Sequence, residues 1–325
     1  MPKLAASLDI ITLTDTPECA AQLLEAAKTL GFVYITMAGT EITPEAVDEM
    51  FKISKQFFAS PESEKASCVI SANNKGWSGM LSETLDPPNQ KRGDFKQAMN
   101  FGEFTQSGEP QQPITPTLSP HLPTIAHFST LCANVSRRLL RLFAQALSIS
   151  ASAGGAEYFT ASHTSTNGPS GSILRLLYYP PISSGDYDPS SDIRAGAHSD
   201  YGSLTLLFQH DGASGLEILS PGGGWSPVPV VSEAICVNIG DLLSYWTAGL
   251  LRSTVHRVVA PGDQAGERYS MAYFCHPVDS TPLGGIPSEI VRKRGERGAN
   301  IEDEEVLTAA RHLKSRLAAT YGWNS

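Results

Sequence analysis

His198 and Asp200 stand two residues apart in a segment that leads into an apolar run, Ser203 to Phe208. Side chains two apart on an extended chain leave the same face, so an imidazole and a carboxylate there could reach one metal ion. That donor pair suits iron(II), and one more histidine would complete a facial triad with coordination positions left open for a co-substrate and oxygen. A His-x-Asp triplet also arises by chance. His256, inside the β-like stretch Ser253 to Val258, is the candidate third ligand, although a core histidine bonded to backbone would fit the same pattern. Twelve residues later, Arg268 and Ser270 share one face of an expected strand and would present a guanidinium fork and a hydroxyl to a carboxylate. A surface ion pair is the plainer alternative for that arginine.

The elements that must position these residues are legible in outline. Leu8 to Leu13 reads as a short strand. Thr16-Pro17-Glu18 then supplies an N-cap, a proline at the first helical position and an acid in the first turn. The helix that follows has its apolar face at Ala20, Leu23, Leu24, Ala27 and Leu30, and Gly31 stops it before a strand from Phe32 to Thr36. Thr43-Pro44-Glu45 opens a second helix, with Val47, Met50, Phe51, Phe57 and Phe58 as core positions, and Pro61 interrupts it. Residues 71 to 123, rich in Gly, Pro, Asn and Ser, are expected to form long ordered loops that shape a substrate pocket. From Pro123 to Leu147, Ile125, Phe128, Leu131, Val135, Leu139, Leu142 and Phe143 mark the longest amphipathic helix.

After Gly171 the pattern changes to short strands separated by turns: Ser172 to Tyr179, Ser203 to Phe208, Leu216 to Leu219, Ala234 to Ile239 and Tyr269 to Phe274. Many short strands favour a sandwich or jelly roll over a parallel sheet with crossover helices. Gly222-Gly223-Gly224 is expected as a turn, since no Lys-Ser follows it and no helix aims it at a phosphate. Ile301 to Tyr321 returns to helical spacing.

The 325 residues, 41% hydrophobic and 18% charged, suit one large globular domain, and the net charge of -9 argues against nucleic-acid or anionic-membrane partners. Arg292-Lys293-Arg294, diluted by Glu296 and by Glu302, Asp303 and Glu304, reads as a solvated loop. The five dispersed cysteines form neither a disulfide framework nor a thiolate metal site. With no leader pattern and no apolar run of membrane-spanning length, the expectation is a soluble, cytoplasmic protein. Nothing in one sequence fixes its oligomeric state.

Taken together, His198-Ser199-Asp200, His256 and Arg268-Tyr269-Ser270 resemble the signature of the iron(II) and 2-oxoglutarate-dependent dioxygenases, in the branch similar to isopenicillin N synthase. The resemblance covers most of the chain. Gly31 to Ile35 with Gly39, Phe57-Phe58 with Pro61 and Lys65, Gly93-Asp94-Phe95-Lys96, Tyr179-Pro180, and Asn238-Ile239-Gly240-Asp241 with Thr247 and Gly249 match successive parts of that family's pattern. It implies a mainly β protein with flanking helices: a double-stranded β-helix (jelly roll) core wrapped by N-terminal and long central helices. Residues 1–170 would be a helical and loop region, 171–280 the core with the iron site, and 281–325 a C-terminal loop and helix, all within one oxygenase domain.

The resemblance further implies that His198, Asp200 and His256 are the catalytic metal ligands. Arg268, Ser270 and Tyr179 would then bind 2-oxoglutarate, with dioxygen as the other co-substrate. Leu177 departs from the family where many relatives carry Asn, and Gln97 replaces a common Glu. The implied activity is oxidation of a small, apolar or aromatic specialised metabolite, by hydroxylation or a related radical outcome such as desaturation or ring expansion, with release of succinate and CO2. Phe274, Phe208 and Phe101 are candidate substrate contacts, and His276 is either a contact or a rim residue. Three alternatives stay open on sequence: an isopenicillin N synthase-like oxidase without 2-oxoglutarate, a non-catalytic jelly-roll binding protein, and a zinc hydrolase.

Overall fold

The computed structural model describes residues 5–105, 107–182, 187–188, 192–210, 214–260, 265–295 and 306–321. Among the described residues twelve strands form two sheets. In the large sheet the order is β1 (Ile10–Ile11), β2 (Phe32–Thr36), β10 (Ala234–Ile239), β7 (Leu204–Gln209), β12 (Arg268–Cys275), β5 (Ile173–Tyr179), β4 (Gln97–Phe101) and β3 (Gly76–Ser78). In the small sheet it is β6 (Ala195–His198), β11 (His256–Val258), β8 (Leu216–Leu219) and β9 (Trp225–Pro227). Pairing is antiparallel throughout except between β1 and β2. These sheets are the jelly-roll core expected from the sequence.

Strand periodicity divides the large sheet into two faces. Along β12, Tyr269, Met271, Tyr273 and Cys275 join the core beneath the helices, while Ala272 and Phe274 turn toward the small sheet. Neighbouring strands repeat the division: Leu174 and Leu176 against Leu177 and Tyr179 on β5, and Ile235 and Val237 against Cys236 on β10. The helical face is closed by α1 (Pro17–Thr29), α2 (Pro44–Ala59) and α4 (Leu122–Ala146), with the short α3 (Glu62–Lys65) following α2 and α5 (Tyr158–Ser162) following α4. On α4, Ile125, Phe128, Val135, Leu139, Leu142 and Phe143 are all buried, each large side chain contributing about 1.5–3 kcal/mol by leaving water. Thr16 and Thr43 accept from the main-chain N–H of Cys19 and Ala46, both at 3.3 Å, so both expected N-caps form. Gly31 has φ +67°, and a Cβ there would lie 2.0 Å from the Arg252 carbonyl oxygen, so the first helix ends against the loop that leads to His256.

Three expectations need correction. Residues 71–123 are not all loop, since β3 and β4 extend the large sheet beside β5. They are short, and β4 pairs with a strand more than seventy residues away while β3 pairs with β4, which leaves little local pattern. The first strand covers only Ile10–Ile11. Arg292, Lys293 and Arg294 are exposed as expected but lie on α7 (Glu289–Gly295), where Lys293 pairs with Glu289 at 2.8 Å one turn earlier. Gly222 to Gly224 do form a turn, between β8 and β9. The last helix, α8, spans Ala309–Tyr321; the earlier part of the expected segment, with Glu302, Asp303 and Glu304, lies outside the described residues, as does Glu296.

Candidate metal centre and active site

His198 ends β6 and His256 begins β11, and the two residues are direct partners in that antiparallel pair. Asp200 lies just beyond β6, in a turn held by the start of α6 (Asp241–Trp246): the N–H of Asp241 donates to the Asp200 carbonyl at 2.7 Å, and that of Leu242 to Gly202 at 3.1 Å. Asp200 Oδ1 sits 3.8 Å from His198 Nε2 and 3.7 Å from His256 Nε2, and one donor atom from each of the three residues falls within 4.8 Å of the others.

The surrounding hydrogen bonds orient all three. His198 Nδ1 lies 2.8 Å from the Gly196 carbonyl and His256 Nδ1 3.1 Å from that of Thr254, so each Nδ1–H donates outward and each Nε2 presents its lone pair inward. Asp200 Oδ2 accepts from Thr205 Oγ1 and Asn238 Nδ2, both at 2.7 Å, which leaves Oδ1 facing the imidazoles. Burial and then the neighbouring His256 push the His198 pKa down to about 4. For Asp200 burial acts upward, but the two imidazoles and the bonds from Asn238 and Thr205 outweigh it and hold the carboxyl below its usual range. Three acceptor atoms facing one another in a buried site repel unless a cation lies among them, so this arrangement fits a divalent metal.

A cavity opens beside the triad. At one end Arg268, 1% exposed, donates to Ser270 Oγ at 2.9 Å and Gln209 Oε1 at 3.2 Å, with its guanidinium 4.8 Å from the centre of the Tyr179 ring. All the sequence-derived metal and co-substrate candidates therefore line one cavity. Leu177 lines it too, whereas Gln97 bonds to Trp77 Nε1 at 3.1 Å.

The aromatic candidates separate. Phe274 lines this cavity and a second, adjoining one. Phe208 and Phe101 do not line either: Phe208 packs on Phe128 and Phe101 on Phe104, in the core beneath the helices. On β7 it is Leu207 that faces inward, and Phe208 is one residue out of phase with it. His276 is no rim residue, being 6% exposed within the second cavity.

Sequence reasoning missed a buried charge cluster on the cavity wall. Lys96 Nζ pairs with Glu83 at 3.0 Å and with Asp94, and Arg175 pairs with the other oxygen of Glu83. Ser78 donates to Glu83 at 2.8 Å, while Gln90 and the Gly196 N–H donate to Asp94 at 2.8 and 3.0 Å. Asp94 and Lys96 stood in a motif already noted, but Glu83 and Arg175 carry no local signal. Thr205 and Asn238 had one: each is a polar residue at an inward position of a mostly apolar strand.

Fold and site together define a jelly-roll protein with a centre of two histidines and one carboxylate beside a buried arginine. Residues 170–277 match the 2OG-Fe(II) oxygenase superfamily, and residues 4–121 match the N-terminal region described as non-haem dioxygenase in morphine synthesis. The 2-oxoglutarate-dependent dioxygenase htyE of Aspergillus rugulosus is 30% identical, with 93% of each chain covered. A UPF0676 protein of Schizosaccharomyces pombe is 35% identical over 96% of this chain and 91% of its own. The crystal structure of a full-length Neurospora crassa protein in complex with alpha-KG and thymine superposes with a TM-score of 0.78 at 30% identity, covering 96% of each chain. The chain belongs to the 2OG-Fe(II) oxygenase superfamily. It is a 2-oxoglutarate-dependent dioxygenase, an oxidoreductase that uses iron(II), 2-oxoglutarate and dioxygen. Among the described residues no helix is long and apolar enough to cross a membrane.

Proposed function

We propose that His198, Asp200 and His256 hold the iron(II), that Arg268, Ser270 and Tyr179 bind the distal carboxylate of 2-oxoglutarate, and that the enzyme oxidises a small neutral metabolite lodged against Phe274. When bound, iron(II) supplies the oxidising chemistry: 2-oxoglutarate and O2 give succinate and CO2, with one oxygen atom passing to succinate and the other to the substrate in a hydroxylation. The protein's own work is to orient both molecules and to exclude water.

The observation that carries this reading is the inward face of β12. Arg268, Ser270, Ala272 and Phe274 follow one another along it, so one rigid strand sets the co-substrate end, the wall beside the triad and the substrate end of one cavity. Arg268 offers a charge-assisted anchor for a carboxylate at a depth where an unmatched anion would be excluded. In the wall cluster, Lys96 and Arg175 are matched by Glu83 and Asp94, so no spare charge is left there to recruit an ionic substrate. The fungal dioxygenase relatives and the thymine held by the Neurospora crassa protein are consistent with a small-molecule substrate, aromatic or otherwise ring-shaped.

The test is succinate release by anaerobically iron-loaded protein on admission of oxygen with 2-oxoglutarate, first without and then with candidate neutral ring compounds. Wild type is expected to release succinate slowly alone and faster with an accepted substrate. His198→Ala should abolish release and Arg268→Ala should raise the 2-oxoglutarate requirement. Oxygen uptake with no succinate would overturn the co-substrate assignment.

A further inference from the structure

The inward face of β12 does not end at Phe274. Two residues further, just past the strand, His276 lines the second cavity together with Asn74, Arg175 and Tyr201. Its backbone is pinned by Ser172, whose Oγ accepts from the His276 N–H at 3.0 Å and donates to its carbonyl at 3.2 Å. Its ring occupies a slot between two glycines. A Cβ on Gly202 would come within 2.8 Å of Nε2, and one on Gly171 within 3.3 Å of Cγ, so larger residues at either position would displace the ring.

Despite this burial, neither ring nitrogen of His276 has a hydrogen-bond partner among the described residues. His163 shows the contrast: its Nδ1 is 2.7 Å from the Phe159 carbonyl and its Nε2 2.8 Å from Ser203 Oγ. An imidazole held at 6% exposure with open nitrogens in the cavity wall offers a donor and an acceptor to a polar group bound there. Around it the cavity is walled by Phe274, Leu313 and Leu317, the two leucines coming from α8. These apolar walls beside the imidazole suit a flat body that turns an apolar face to them and a polar edge to His276.

We propose that His276 is a specificity-determining residue that hydrogen-bonds a carbonyl, hydroxyl or ring nitrogen on a neutral ring-shaped substrate and so selects which C–H faces the metal centre. This rests on the dioxygenase reading above and deepens it. Imidazole supplies one donor and one acceptor at fixed angles, so it recognises a neutral polar edge without demanding a charge. A site built to hydrogen-bond such an edge rejects the analogue that lacks it far more strongly than an apolar wall distinguishes sizes.

The test is anaerobic calorimetric binding to protein loaded with iron(II) and 2-oxoglutarate. The probes are thymine, a neutral ring with carbonyl and N–H groups, and toluene, a methyl-bearing ring with no polar edge. Wild type is expected to bind thymine at least tenfold more tightly than toluene. His276→Phe, which keeps the ring and removes both polar atoms, should lose at least tenfold in thymine affinity while toluene affinity holds or improves. His276→Gln, which keeps a donor and an acceptor, should stay within about threefold of wild type for thymine. An unchanged thymine affinity in the Phe variant, or no preference for thymine in wild type, would overturn the assignment. Succinate release by the same wild-type preparation separates the two readings: normal release without the preference sinks the role of His276 alone, and no release sinks both.

Discussion

His198 and His256 face each other as direct partners across the antiparallel strands β6 and β11, with ring centroids 4.3 Å apart and ring planes at 53°. Fifty-eight residues separate them in the chain, yet the register of the small sheet sets the two imidazoles side by side, and Asp200 enters from the turn that follows the first. The centre is therefore as rigid as the sheet and the α6 clamp that hold it, and its sensitivity should lie in the residues behind the triad as much as in the triad itself.

Asn238 and Thr205 together hold Asp200 Oδ2. Asn238→Ala leaves Asp200 Oδ2 held by Thr205 alone of this pair, and iron(II) affinity is expected to fall about 10–100-fold. Titration of the metal-free protein with iron(II) measures it. Circular dichroism should show the fold retained.

A methyl group at Gly240 would lie 2.2 Å from the Gly202 carbonyl oxygen and 3.1 Å from that of Asp200. Gly240→Ala must therefore push the ligand turn away from α6. The expected result is a lower melting temperature together with weakened metal binding, and wild-type values for both would show that the clamp yields without cost.

Arg268→Lys keeps the charge but loses the fork. One lost charge-assisted hydrogen bond is worth about 1.5–3 kcal/mol, so the KM for 2-oxoglutarate should rise about 10–100-fold, with a smaller rise for Ser270→Ala. Steady-state succinate assays at varied 2-oxoglutarate check the ranking.

Glu83 is 2% exposed; burial works to raise its pKa, but Arg175 and Lys96 outweigh it and hold the carboxyl well below the usual range. Glu83→Gln leaves two buried cations with one partner fewer. A loss of about 3–5 kcal/mol is expected for breaking such a cluster, read from urea unfolding.

Burial pushes the His163 pKa down to about 4, against an unfolded value of about 6.5. The unfolded chain therefore binds this proton first. The stability linked to His163 is whole above about pH 6.5 and drains as pH falls toward 4, by at most about 3 kcal/mol. Denaturant unfolding at a series of pH values should show a shallower acid slope for His163→Gln, and parallel slopes would remove His163 from the account.

The candidate triad His198, Asp200 and His256, the buried Arg268 on the same cavity and the helices α1, α2 and α4 were all legible in the sequence, because each rests on local spacing: two residues on a strand face, three to four on a helix, a Thr-Pro-Glu start. Strands β8 and β10 were readable to their ends for the same reason. What the sequence left open was decided by pairing between distant segments. It could not say that β4 joins the large sheet, that Glu83 and Arg175 meet across ninety-two positions, or that Phe208 is one residue out of phase with the cavity while Phe274 is in it. A residue's type and its local period are properties of the chain, but the partner it meets depends on sheet register, and a shift of one residue there turns a cavity-lining side chain into core.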